Sequence, residues 1–171
     1  DMGGADGIIA AANNAIAWTN IAFNNSGVDL TFRLAHTGEV SYPESGNYRT
    51  DLLRLQDASD SYLDEVHTLR DRYRADIVSM WLRGNGWGNT YGAAYTSRSE
   101  ATAFNVCRIG SPRLDQTFAH ECGHNMGCGH ARDQDQNPGP SSLFPDYGAG
   151  WRWTDRNNDL WRSIMAYQPG N

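Results

Sequence analysis

Three of the five histidines in this 171-residue chain fall within eleven consecutive residues, His120-Glu121-Cys122-Gly123-His124-Asn125-Met126-Gly127-Cys128-Gly129-His130. On a helix, His120 and His124 stand one turn apart on one face. Two imidazoles so placed reach a single zinc ion, Zn2+, at about 2.0–2.1 Å. Glu121 follows the first ligand directly; it cannot share that position but can lie beside an open one. Gly127 can leave the right-handed region, end the helix and turn the chain back. His130 then supplies a third nitrogen. Three protein nitrogens leave one position for water, the layout of a catalytic rather than a structural metal site. The competing reading is a helix with exposed histidines. With five His, five Glu and 18 Gly in the chain, HExxHxxGxxH arises by chance about once in 10⁵ sequences, whereas HExxH alone says much less.

The preceding residues read as helices packed on a sheet. Residues 8–23 (IIAAANNAIAWTNIAF) repeat apolar positions at helical spacing and stop at Asn24-Asn25-Ser26-Gly27. Residues 28–42 alternate in part and predict a strand. Residues 48–74 suit helix in two pieces, with Asp60 or Ser61 as a cap for the second. Residues 76–82 (DIVSMWL) predict a buried strand; 91–97 and 101–109 predict two more. Thr117 then opens the histidine helix. After His130 the chain turns rich in Gly, Pro, Asp, Asn and Trp, without periodicity. The expectation is an α/β (α+β) fold with a mixed, mostly parallel sheet. We expect one domain, 1–171, with an upper lobe to residue 130 and a small irregular lobe over 131–171.

Composition narrows the partners. The formal charge is −6, all 14 basic residues are arginine, and none form a basic stripe, which argues against nucleic acid. No apolar run reaches the length of a membrane span. The chain begins at Asp1 without a leader, which predicts a mature, secreted form after removal of a propeptide. Three cysteines permit one disulfide and one thiol. The expected pair is Cys107–Cys128, pinning the last strand to the turn after the helix and leaving Cys122 a buried thiol. Residues 133–137 and 155–159 alternate oxygen side chains that could grip calcium, Ca2+, although they lack the glycine and distal glutamate of an EF-hand. Polar turns are the alternative.

The extended motif resembles that of the metzincin zinc endopeptidases. Ser163-Ile164-Met165-Ala166-Tyr167 fits the Met-containing turn of that family. Segments 66–71, 75–78, 92–95 and 118–130 add similarity to bacterial reprolysin-like peptidases, the peptidyl-Asp metallopeptidase group among them. The resemblance implies a zinc-dependent endopeptidase acting on proteins or peptides as a monomer. His120, His124 and His130 would be the ligands, Glu121 the general base, and Met165 the residue beneath the metal. It also implies that Gly92-Ala93-Ala94-Tyr95 is the edge strand along which substrate lies, and that Tyr167 reaches the metal or the oxyanion. Arg152 is the candidate pocket cation for an acidic residue after the scissile bond. A non-catalytic binding module and a zinc hydrolase of non-peptide substrates are the alternatives. The chain departs from the pattern at Ala131, where reprolysins place Asp and astacins Glu. It also ends four residues after Tyr167, so the expectation is a missing or very short C-terminal helix.

Overall fold

Every residue from Phe104 to Cys107 is buried, so this stretch must be a strand covered on both faces. The computed structural model of the chain describes residues 2–140 and 146–169. Its helices are α1 (Gly4–Asn25), α2 (Tyr48–Gln56), α3 (Asp64–Tyr73) and α4 (Leu114–Asn125). Strands β1 (Val78–Leu82), β2 (Gly92–Ala94) and β3 (Phe104–Arg108) form one sheet in the order β1-β3-β2. The β1–β3 pair is parallel, Val78 facing Phe104, and the β2–β3 pair antiparallel, Gly92 facing Cys107. The sheet is therefore mixed, with parallel and antiparallel pairs in equal number rather than mostly parallel.

Strand alternation assigns each face a core. Met80, Leu82, Phe104 and Val106 pack with Leu52, Leu55, Leu63 and Trp87 under α2 and the residues before α3. Ile77, Trp81 and Cys107 face the other way, onto Ala15, Phe118 and Cys122 of α1 and α4. The two-piece helix over 48–74 is present, split by residues 57–63. Asn47 caps α2, accepting from the N–H groups of Arg49 and Thr50. Neither Asp60 nor Ser61 caps α3; its N-cap is Leu63, and Asp60 instead accepts from the Tyr62 N–H.

The strand expected over residues 28–42 is not formed. Phe32, Leu34, Val40 and Tyr42 are half-buried while Val28 and Leu30 are exposed, so the alternation holds only from Phe32 on, and no ladder forms. Asn20 of α1 replaces one rung: its side-chain amide donates to the Phe32 carbonyl at 2.9 Å and accepts from the Phe32 N–H at 2.7 Å. The Phe32 ring then stacks edge-on against Phe23 and Phe118. Alternation thus reported one-sided burial, which side-chain bonds to a helix also satisfy.

Beyond α4 lie short pairs, β4 (Gly129–Ala131) with β5 (Ala149–Gly150), and β6 (Arg152–Thr154) with β7 (Leu160–Arg162). Residues 141–145, within the expected irregular lobe, lie outside the described residues. No disulfide links the cysteines. Cys107 packs with Cys122 beneath α4 rather than with Cys128, so the expected Cys107–Cys128 bridge is not the arrangement seen. Among the described residues, no helix is long and apolar enough to cross a membrane.

Candidate active site

Helix α4 is buried from Phe118 to Asn125. Cys122 faces α1 and β3, while His120 and His124, one turn apart, face residues that follow the helix. Gly127, at φ 94°, closes the helix: its N–H bonds the His124 carbonyl at 2.8 Å, and the Cys128 N–H bonds the Gly123 carbonyl at 2.9 Å. This left-handed closure needs glycine and reverses the chain into β4, which carries His130.

The three imidazoles meet at their Nε2 atoms. His130 Nε2 lies 3.1 Å from His120 Nε2 and 3.0 Å from His124 Nε2. Each outer nitrogen meets a main-chain carbonyl: His120 Nδ1 that of Ile164 at 2.8 Å, His124 Nδ1 that of Cys128 at 2.7 Å, and His130 Nδ1 that of Gln136 at 2.6 Å. A carbonyl only accepts, so each Nδ1 carries the proton and each Nε2 presents its lone pair. Three converging lone pairs repel unless a cation stands among them, and the donor set fits zinc. Among the described residues this is the one cluster of its kind able to hold a metal. Burial holds His120 down to about 3, helped by His124, against the Ile164 carbonyl; His130 and Arg162 add to the lowering. Burial likewise holds His124 down to about 4. His130 is lowered for the same first reason. All three are neutral at neutral pH, the form that ligates.

Glu121 points toward β2. A Cβ on Gly92 would stand 2.5 Å from Glu121 Oε1 and 2.7 Å from its Cγ, so only glycine admits this carboxylate. Burial pushes Glu121 up to about 8. Gly92, Ala93 and Ala94 form β2, at the edge of the sheet, and Tyr95 follows it. Met165 is buried with its Sδ directly beneath Gly123, where a Cβ would collide with it. The Tyr167 ring stands over the cluster, with centroids 4.3 Å from His130 and 5.4 Å from His120. Its phenol is pushed up to about 12, by burial first and then by the Glu121 and Tyr48 charges.

Arg152 differs from its expected place. Its guanidinium pairs with Asp133 and donates to the carbonyls of Tyr167 and Gln168. Those donors are turned to the chain's own acceptors rather than to a pocket. Neither polar run gathers ligands: Asp155 accepts from the N–H groups of Asn157 and Asp159 and from the Trp161 indole, and Asp133 is held by Arg152. Sequence reading missed Gln134, Asn105 and Asn125. Asn125 donates to the Phe104 carbonyl at 2.9 Å and the Tyr95 carbonyl at 3.2 Å, and accepts from Asn105 at 2.9 Å. It thereby fastens the end of α4 to β2 and β3. The motif contains Asn125, yet nothing in its spacing marks that bond.

A protein-family model described as Reprolysin_5, metallo-peptidase family M12, matches residues 1–171. Among curated proteins, the chain is 35% identical over 155 residues to a peptidyl-Asp metalloendopeptidase of Stenotrophomonas maltophilia (strain R551-3), covering 90% of this chain and 35% of that protein. A protein of the same name from Xanthomonas campestris pv. campestris is 35% identical over 154 residues, covering 90% and 34%. Another from Pseudomonas fragi is 32% identical over 151 residues, covering 87% and 72%. The chain thus spans about a third of the length of the first two. Among solved structures, a chain from "Structure of a chaperone-substrate complex" superposes with a TM-score of 0.68 at 19% identity, covering 95% of this chain and 25% of that one. That likeness concerns the fold alone.

Proposed function

Since the chain belongs to metallo-peptidase family M12, we propose that it is a zinc-dependent endopeptidase hydrolysing internal peptide bonds. The observation that carries this is the convergence of three Nε2 lone pairs, each aimed by a carbonyl at the opposite ring nitrogen. When bound there, zinc supplies a Lewis acid that polarises the scissile carbonyl and acidifies water.

The chain's own groups supply the rest. The free edge of β2 pairs with an extended peptide through main-chain hydrogen bonds, and its small side chains admit a close backbone. Gly92 lies on that strand against Glu121, so a bound peptide passes beside the carboxylate. Glu121 takes the proton of the attacking water and passes it to the leaving amine. The Tyr167 ring lies over the His cluster, and in this reading its hydroxyl donates to the developing oxyanion. Met165 floors the site beneath Gly123 as the turn residue. Residues 1–171 act as one unit, dividing after His130.

Relatives named peptidyl-Asp metalloendopeptidases support a preference for acidic residues after the scissile bond. Arg162, which donates to the Ala166 carbonyl at 2.7 Å, is the arginine of residues 131–165 whose charge acts on His120. Action outside the cell, as a monomer, completes the reading; culture fractionation and size-exclusion chromatography test it. Casein digestion with and without a chelator tests the activity itself, and a peptide library tests the preference. Casein cleaved equally in the chelated protein would defeat the reading.

A further inference from the structure

Tyr167 is gripped by its main chain from both sides. Gln134 Oε1 accepts from the Tyr167 N–H at 3.0 Å and also from the Ala131 N–H at 3.0 Å. Arg152 donates to the Tyr167 carbonyl through Nε at 3.1 Å and Nη2 at 2.8 Å. The same guanidinium is anchored at 2.6 Å by Asp133. Asp133 and Gln134 both lie in the loop just after the third histidine, whereas Arg152 lies on β6. Two separate stretches therefore grip the main chain of one residue beside the histidine cluster.

Packing alone does not hold this residue. Tyr167 is 47% exposed, yet its ring lies at 14° to His120 and 45° to His130. A half-exposed ring keeps one orientation only if its backbone is fixed, and both of its main-chain hydrogen-bonding groups are.

We propose that Gln134 and Arg152 are the positioning residues for Tyr167, clamping its N–H and C=O so that the ring stays over His120 and His130. The inference rests on the proposed function for the use made of Tyr167, but the clamp itself concerns position. It demands an acceptor at Gln134, not merely its volume. Glu keeps an oxygen in reach of both N–H groups, while Met fills the same space and accepts nothing comparable.

The test uses the full chain with 13C-labelled tyrosine, Tyr167 being assigned through Tyr167→Phe. In zinc-free and zinc-loaded protein, Gln134→Met and Arg152→Gln are expected to move the Tyr167 ring resonances, because the ring leaves its place over the two imidazoles. Gln134→Glu is expected to restore them. Kinetically, Gln134→Met should lower kcat at least fivefold with KM within twofold of the parent, and Gln134→Glu should recover it. If Gln134→Met does not fold, Arg152→Gln provides the same reading. Unmoved Tyr167 resonances in the folded variants would overturn the clamp. Ring shifts with unaltered kcat would uphold the clamp and remove Tyr167 from the reaction instead, a separate failure belonging to the functional reading.

Discussion

Gly92 of β2 and Gly123 of α4 are glycine for the same steric reason. A methyl at Gly92 meets the Glu121 side chain, and one at Gly123 meets the Met165 sulfur. Gly92→Ala should displace the carboxylate without touching any histidine. Misplacing a reacting group by about 1 Å can cost on the order of 10²-fold in rate, so kcat should drop by at least tenfold while zinc content, measured by atomic absorption, stays at one per chain. Glu121→Gln keeps the shape and removes the base; a loss of about 10²–10⁴ in kcat is expected. A Glu121→Gln protein as active as the parent would end the general-base assignment. The histidines and Glu121 were legible because spacing alone fixes their relation on a helix. Gln134 was not: its partners at Tyr167 and Ala131 are main-chain groups, 33 and three residues away, and main-chain donors leave no mark on a sequence.

Helix α4 carries the site, and the strands beside it decide where it sits. Asn125 ties its last turn to the Phe104 and Tyr95 carbonyls, and Asn105 ties Asn125 to Ser79 at 2.5 Å. Asn105 and Asn125 are buried, so a lost partner leaves polar atoms unsatisfied. Asn125→Ala should cost about 1–3 kcal/mol, read as a lower midpoint in urea. Among the elements, α1 through α4 and the three upper strands were legible from period and punctuation. Residues 28–42 were misread as a strand because Asn20 satisfies Phe32 through a side chain, and periodicity cannot distinguish that from a ladder. The small strands of residues 129–162 were illegible for a related reason: two- or three-residue pairs are too short for any period to show.

At the scale of the whole molecule, the buried histidines and Glu121 couple stability to pH in opposite senses. In the metal-free protein His120 and His124 titrate near 3 and 4, against an ordinary 6.5. The unfolded chain then takes up protons first, so stability is lost as pH falls below 6.5 towards those values. Glu121 titrates near 8 against an ordinary 4.5; here the folded state holds the proton longer, and stability is lost as pH rises from 4.5 through 8. Two histidines outweigh one carboxyl where the windows overlap. Metal-free protein should therefore melt highest near pH 6.5 and lower on either side. Zinc, which favours neutral imidazoles and an ionised carboxylate, should raise the melting temperature most on the alkaline side. Scanning fluorimetry across pH, with and without chelator, measures both limbs. The imidazole anchors carry a consequence of another kind. All three acceptors, on Ile164, Cys128 and Gln136, are peptide oxygens, and no codon change deletes a peptide oxygen. Saturation mutagenesis at those three sites should meet broad tolerance, with damage confined to replacements that reroute the loop itself. Heredity can rewrite the side chains there freely while the rings keep their aim.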